Sequence, residues 1–325
     1  LRIGAVALFV IMLLLLYARY VLITDIDHDE VEHLHVGFRM LEGLIPYRDF
    51  YQNHLPAYWI ASMHFVEGFP FSVNAVLAGR VLSVASLAGC WALGLLLLQQ
   101  FPGGKSWLAR LIYTWVVILL AQFMDFHIAR PDPVMALFVT AGICLVPRRG
   151  GIGNPRALLL GLSFGLSAAV SIKMLPFLMV VPAVIALHGW RERSWRPLTG
   201  WFFFGFGFFL GVMPVILWLI HHGTWEHFVA DVWEINRAVG KHWAASFSFL
   251  HIPVYMMGFL GMLASVSRYR LPWNSDQNGP AILAFAMLAG LILAAITRHP
   301  LAYNYQSLVV PLAVGFTVLV LTAWF

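Results

Sequence analysis

FVIMLLLLYARYVLITDIDHDEVEH, residues 9–33, runs from an unbroken apolar stretch into a cluster of acids and histidines. The apolar part belongs to a stretch over residues 3–23 that is long enough for one membrane crossing, because about 20 apolar helical residues cover a hydrocarbon core of roughly 30 Å. Similar runs recur at about 72–98, 107–124, 133–147, 157–172, 174–188, 198–220, 251–267, 280–297 and 304–325. None alternates apolar and polar residues as the strand of a membrane barrel must, and runs such as LLLLQ at 95–99 argue directly against one. The expected fold is therefore all-α: a polytopic membrane protein of about ten transmembrane helices, whose first outer loop carries helices lying at the membrane interface.

Composition supports that class. Of the 325 residues 61% are hydrophobic and only 11% charged, and mean hydropathy is +0.80, outside the range of ordinary soluble domains. Residues 1–325 read as one transmembrane domain, with 24–71 as its first outer loop. Cys90 and Cys144 both fall inside expected spans, which excludes a disulfide framework as the organising principle. The first span is expected to be an anchor rather than a cleaved leader, and the apolar run at Phe325 leads us to expect further sequence after it. A net charge of +5 would suit a nucleic-acid partner, but the basic residues are scattered through loops and form no stripe. The partner they fit is the lipid bilayer.

Orientation follows from the same residues. Basic side chains favour cytoplasmic loops, and Arg2, Lys105, Arg110, Arg148, Arg149, Arg156, Arg191, Arg193, Arg196, Arg268 and Arg270 all fall on one face. The opposite, outer face receives residues 24–71, 125–132, Lys173, 221–250 and 298–303. All the acids except Glu192 and Asp276 lie there, and so do the histidines other than His188, with His251 at its edge. Polar chemistry is thus gathered at one membrane boundary, while the span interiors read as almost free of charge.

The acid cluster admits two readings. Val31, Leu34, Phe38 and Leu41 have helical spacing, so residues 28–44 are expected to form an amphipathic helix on the outer surface. Asp27 followed by Glu30 fits a capping box, a purely structural use. Five acids in eight positions, Asp25, Asp27, Asp29, Glu30 and Glu32, exceed what a cap requires and repel one another. Acids held so close to a membrane are by default functional.

Other outer segments carry candidates too. PYRDFYQNHLP, 46–56, reads as an aromatic and polar interface loop and includes His54. HIARPDPVMALF, 127–138, places Asp132 before Pro133, where it is either a helix N-cap or, with Arg130, part of an anion site. Lys173, in VSIKMLPF, sits between two short apolar runs. It is either a snorkelling anchor at the tip of a shallow hairpin or a point charge for a phosphate. TRHPLAYNYQSLVVPL, 297–312, adds Arg298, His299, Tyr303 and Tyr305 beside ordinary interfacial aromatics. HHGTWEHFVADVWEINRAVGKHW, 221–243, reads as an outer amphipathic helix.

These stretches, in this order, resemble the polytopic glycosyltransferases called GT-C, and within them the protein mannosyltransferase and lipid A aminoarabinose transferase superfamily. In that group an Asp-Glu pair opens the first outer loop, matched by Asp29-Glu30. A second aspartate, often before proline, lies between the third and fourth spans, matched by Asp132-Pro133. A lysine in apolar surroundings follows the fifth span, as in SIKMLPF, and a tyrosine segment followed by proline opens a late span, as in YNYQSLVVP. The resemblance covers nearly the whole chain, and the chain shows no WWDYG-like signature of an oligosaccharyltransferase.

What the resemblance implies is transfer of a single sugar from a polyprenyl-phosphate donor to a hydroxyl acceptor, at the outer face of a bacterial inner membrane. In that role Asp29 is the general base, Glu30 and Asp132 orient sugar or base, and Lys173 holds the lipid phosphate with Arg130 or Arg298. His54, His299, Tyr303 and Tyr305 complete the expected substrate-binding set, and in-line attack would invert the anomeric centre. No cofactor is required by any spacing; a divalent ion, Mg or Mn, remains an option because Asp29, Asp132, His28 and His127 are suitable ligands. The rival readings are a transporter of the lipid-linked sugar and a noncatalytic lipid-binding subunit. A proton-coupled transporter would keep its acids at the bilayer midplane, and here they collect at one face.

Overall fold

The computed structural model describes residues 2–70, 72–101, 103–146, 153–179, 197–235 and 306–324, which contain helices and no extended strand. In chain order the helices are α1 (Arg2–Ile23), α2 (His28–Leu41), α3 (Ala57–Gly68), α4 (Val73–Leu98), α5 (Trp107–Phe123), α6 (Pro131–Leu145) and α7 (Asn154–Val170). A 3-10 helix follows at Ile172–Met179, then α8 (Pro197–His221), α9 (Trp225–Phe228) running into a π-helical segment at Val229–Ile235, and α10 (Val309–Trp324). The long helices reproduce the expected spans to within a few residues. The expected span 174–188 is different in its described part: residues 172–179 with Pro176 wind as a 3-10 helix. The expected spans 251–267 and 280–297 lie outside the described residues.

Among the described residues, Val73–Leu98 and Thr199–His221 are each long and apolar enough to cross a membrane, and Trp107–Phe123, Pro131–Leu145 and Gln306–Leu321 are shorter apolar helices. With no water to satisfy backbone groups inside a bilayer, helices are the solution available to such sequences. Association then depends on close packing. Gly161 and Gly165 of α7 face Gly207 and Gly211 of α8, where any Cβ would overlap the backbone of the facing helix. Leu160 and Phe164 of α7 share the main core with Met135 and Val139 of α6, and Tyr113 of α5 joins it against Gly94 of α4.

A second, smaller core lies at one end of this bundle. Val36 of α2, Tyr47, Tyr58 and Trp59 pack with Leu219 at the end of α8 and Val232 beyond it. α2 and α3 can approach because Gly37 sits against the backbone of Ser62 and Met63, at 2.7 and 2.8 Å from where its Cβ would be. The loop between these two helices is folded back by the Tyr47 hydroxyl, which donates to His54 O at 2.6 Å. Gln52 N donates to Asp231 Oδ2 at 3.3 Å and ties that loop to the π-helical segment. Bonds between these segments bring the ends of α1, α4, α5, α6 and α7 together, and the described candidate residues collect there.

Candidate active site

α2 starts where it does because Asp27 caps it. Its backbone is extended (φ −76°, ψ 147°), its carboxylate accepts from Asp29 N at 2.9 Å, and Glu30 accepts from Asp27 N at 3.1 Å. The capping reading of the cluster is therefore correct for Asp27. Because a helix turns roughly 100° per residue, the next two acids diverge: Glu30 points into the protein and is fully buried, while the Asp29 side chain remains 13% exposed.

Glu30 is saturated. Its Oε1 accepts from Arg80 Nε at 2.9 Å and Ala129 N at 2.8 Å, and its Oε2 accepts from Arg80 Nη2 at 2.7 Å besides Asp27 N. Arg80, 2% exposed within α4, spends its other N–H groups on the carbonyls of Val21 (2.6 Å), Thr24 (3.0 Å) and Asp25 (2.9 Å). A buried ion pair persists when its remaining hydrogen-bonding capacity is met in this way. Arg80 is the residue that sequence reasoning missed. Its signal, one guanidinium inside GRVLSV, was present, since charge within a span is functional by default.

Asp29 has a different environment. One carboxylate oxygen pairs with Arg130 Nη2 and the other lies 2.8 Å from Nε2 of the exposed His28. Arg130 is the N-cap of α6 and Pro131 occupies the first helical position, where a missing N–H costs nothing. Asp132 is thus a first-turn residue, so of its two readings the N-cap falls away; its carboxylate meets Lys173 Nζ at 2.8 Å. That pair joins the first turn of α6 to the 3-10 helix after α7. Asp132 is 3% exposed and Lys173 20%, so the cation is the more open partner.

His54 lies close by. Its ring contacts His33 edge to face at 4.9 Å, and Trp59 Nε1 donates to His33 Nδ1 at 3.2 Å. Burial, then His54 and then Lys173 hold His33 well below the ordinary histidine range. Burial and Lys173 also lower His54, against the opposing pull of Glu32 and Asp132. Both imidazoles are consequently neutral, and the Trp59 bond leaves the His33 proton on Nε2. The turn before α6 is fixed from the far side by Gln306, whose Nε2 donates to Met124 O at 2.8 Å and Asp125 O at 3.1 Å. Arg298, His299, Tyr303 and Tyr305 lie outside the described residues.

Asp27, His28 and Asp29 offer ligand atoms within 4.8 Å of one another and could receive a metal ion. The Asp29 oxygens already face Arg130 and His28, so an ion there would compete with two cationic or neutral donors.

No protein-family model matches the chain, and no curated protein sequence matches it. A solved structure does: ArnT from Cupriavidus metallidurans bound to undecaprenyl phosphate, with a TM-score of 0.67 and 14% identity over 98% of this chain. This chain has the GT-C fold of ArnT. It spans 60% of that protein's length. The GT-C fold is polytopic and resident in the membrane, which agrees with the composition and the apolar helices described above.

Proposed function

We propose that the protein transfers a single hexosyl or pentosyl unit from a polyprenyl-phosphate sugar to a hydroxyl of a protein, lipid or glycan, at the outer face of a bacterial inner membrane. The observation that carries this reading is the meeting, at one end of a GT-C bundle, of the Asp29–Arg130 and Asp132–Lys173 pairs. ArnT's bound undecaprenyl phosphate supports the donor class.

In the proposed step the acceptor O–H gives its proton to the Asp29 carboxylate as its oxygen attacks the anomeric carbon. The bond from that carbon to the phosphate oxygen breaks, and its electron pair leaves on polyprenyl phosphate. Lys173 and Arg130 offset the charge that builds on the leaving group. Asp132 holds Lys173, His54 lines the approach, and in-line attack inverts the sugar. The site belongs at the membrane boundary because each buried methylene of the lipid is worth about 0.8 kcal/mol, so the donor's phosphate must be met at headgroup depth.

The test is release of free polyprenyl phosphate from a panel of polyprenyl-phosphate sugars by the purified protein with an envelope extract as acceptor. Release with one sugar and transfer of that sugar to an extract component would establish the reading and name the sugar. Movement of intact donor across a vesicle membrane without release would favour a transporter. Asp27, His28 and Asp29 are the described residues that would hold Mg or Mn. Turnover abolished by EDTA and restored by either ion would establish one, and unaltered turnover would leave the phosphate charge to Arg130 and Lys173.

A further inference from the structure

The 128–130 turn is held on three sides by α4 and α2. Gly79 admits Ala129 so closely that any Cβ on Gly79 would stand 2.5 Å from the alanine methyl. Ser83, one turn further along α4, donates to Ile128 O at 2.8 Å. Between them Arg80 grips Glu30, and Glu30 accepts the N–H of Ala129. Arg80 also bonds the last carbonyl groups of α1 and the start of the following loop at Val21, Thr24 and Asp25. Four separate pieces of chain therefore meet on one guanidinium and one carboxylate.

What those pieces carry gives the arrangement its meaning. The residue before Glu30 is Asp29, and the residue after Ala129 is Arg130; these two form the ion pair at the mouth of the site. Each is one peptide unit from the clamp, so a shift of the clamp is transmitted to them with little chance to dissipate. Resting on the transferase reading above, we propose that Arg80 is a positioning residue for the transfer step: through Glu30 it sets Asp29 against Arg130. It touches neither donor nor acceptor. Lys173 on the 3-10 helix and Asp132 on α6 form the second pair, at the phosphate end of the site. Reversing the pair does not reproduce it, because a carboxylate at position 80 would face three carbonyl oxygens where the guanidinium gives N–H.

The experiment uses the full chain in lipid nanodiscs, with Arg80→Lys, Arg80→Gln and Glu30→Gln. A misplacement near 1 Å costs about 10²-fold in rate, so Arg80→Gln and Glu30→Gln are expected to lower kcat by about that factor with donor KM unchanged. Arg80→Lys should recover part of the loss, since it restores the charge without the fork geometry. The exchange of the Ala129 and Arg130 amides, followed by mass spectrometry, should accelerate in Glu30→Gln without acceptor or donor present. A kcat that is unchanged once expressed per folded molecule, in Arg80→Gln or in Glu30→Gln, would overturn the proposal. If the wild type turns over no donor, the transferase reading fails first, and unchanged amide exchange would then reject the clamp on its own account.

Discussion

Asp29 and Glu30 are neighbours in sequence and opposites in structure. Glu30 is fully buried and accepts from four donors, among them Nε and Nη2 of Arg80, whereas Asp29 is partly exposed and faces Arg130 and the 87% exposed His28. A carboxylate whose lone pairs are all engaged cannot take a proton from a substrate. One whose second oxygen is shared only with an exposed histidine, as at Asp29, can. The pair teaches that an acidic motif can divide its labour within a single peptide unit, one carboxylate ordering the protein and the other left available.

The sharpest way to break this comparison is to neutralise each acid in turn. Asp29→Asn is expected to lower turnover by about 10²–10⁴-fold with donor binding retained, the range for removal of a general base; equal binding and turnover in the variant would remove Asp29 from the chemistry. Lys173→Met should weaken the phosphate end, lowering kcat/KM by about 10²-fold, measured with the same donor. An unchanged kcat/KM would return Lys173 to the role of a membrane anchor.

Breaking the ordered side should show in stability. Arg80→Ala leaves Glu30 buried without its partner and is expected to cost about 3–5 kcal/mol, visible as a lower thermal midpoint in detergent. A smaller effect comes from acid. His127 is buried, and burial, then Arg80, push its pKa down to about 4 from an ordinary 6.5. The unfolded chain therefore binds that proton first, so stability is full above pH 6.5 and declines as pH falls toward 4. Midpoints measured between pH 7 and 5 should fall in the wild type and fall less in His127→Phe. Smallest of all, Arg48→Ala removes a solvent-exposed pair with Asp49 and should leave the midpoint where it is.

Much of this arrangement was legible in sequence because its causes are local. Apolar length sets α1, α4 and α5, and the Asp27–Glu30 spacing marks the start of α2. Asp132 and Lys173 could each be nominated from their surroundings, but they are 41 residues apart and nothing local pairs them. Arg80 and Glu30, 50 residues apart, were invisible as partners for the same reason. Reading Glu30 as a cap partner or as chemistry left no place for the guanidinium that answers it. Gln306 was likewise overshadowed by the tyrosines before it, although its bonds to Met124 and Asp125 anchor the turn leading to Arg130.

The most direct test of the account is a single-turnover measurement. A radiolabelled polyprenyl-phosphate sugar is bound to saturation on wild type and on Asp29→Asn, acceptor extract is added, and free polyprenyl phosphate is followed in time. The account predicts equal donor occupancy, rapid release from the wild type and essentially none from the variant. Equal release from both would contradict it and leave the Asp29 carboxylate as a partner of Arg130 alone.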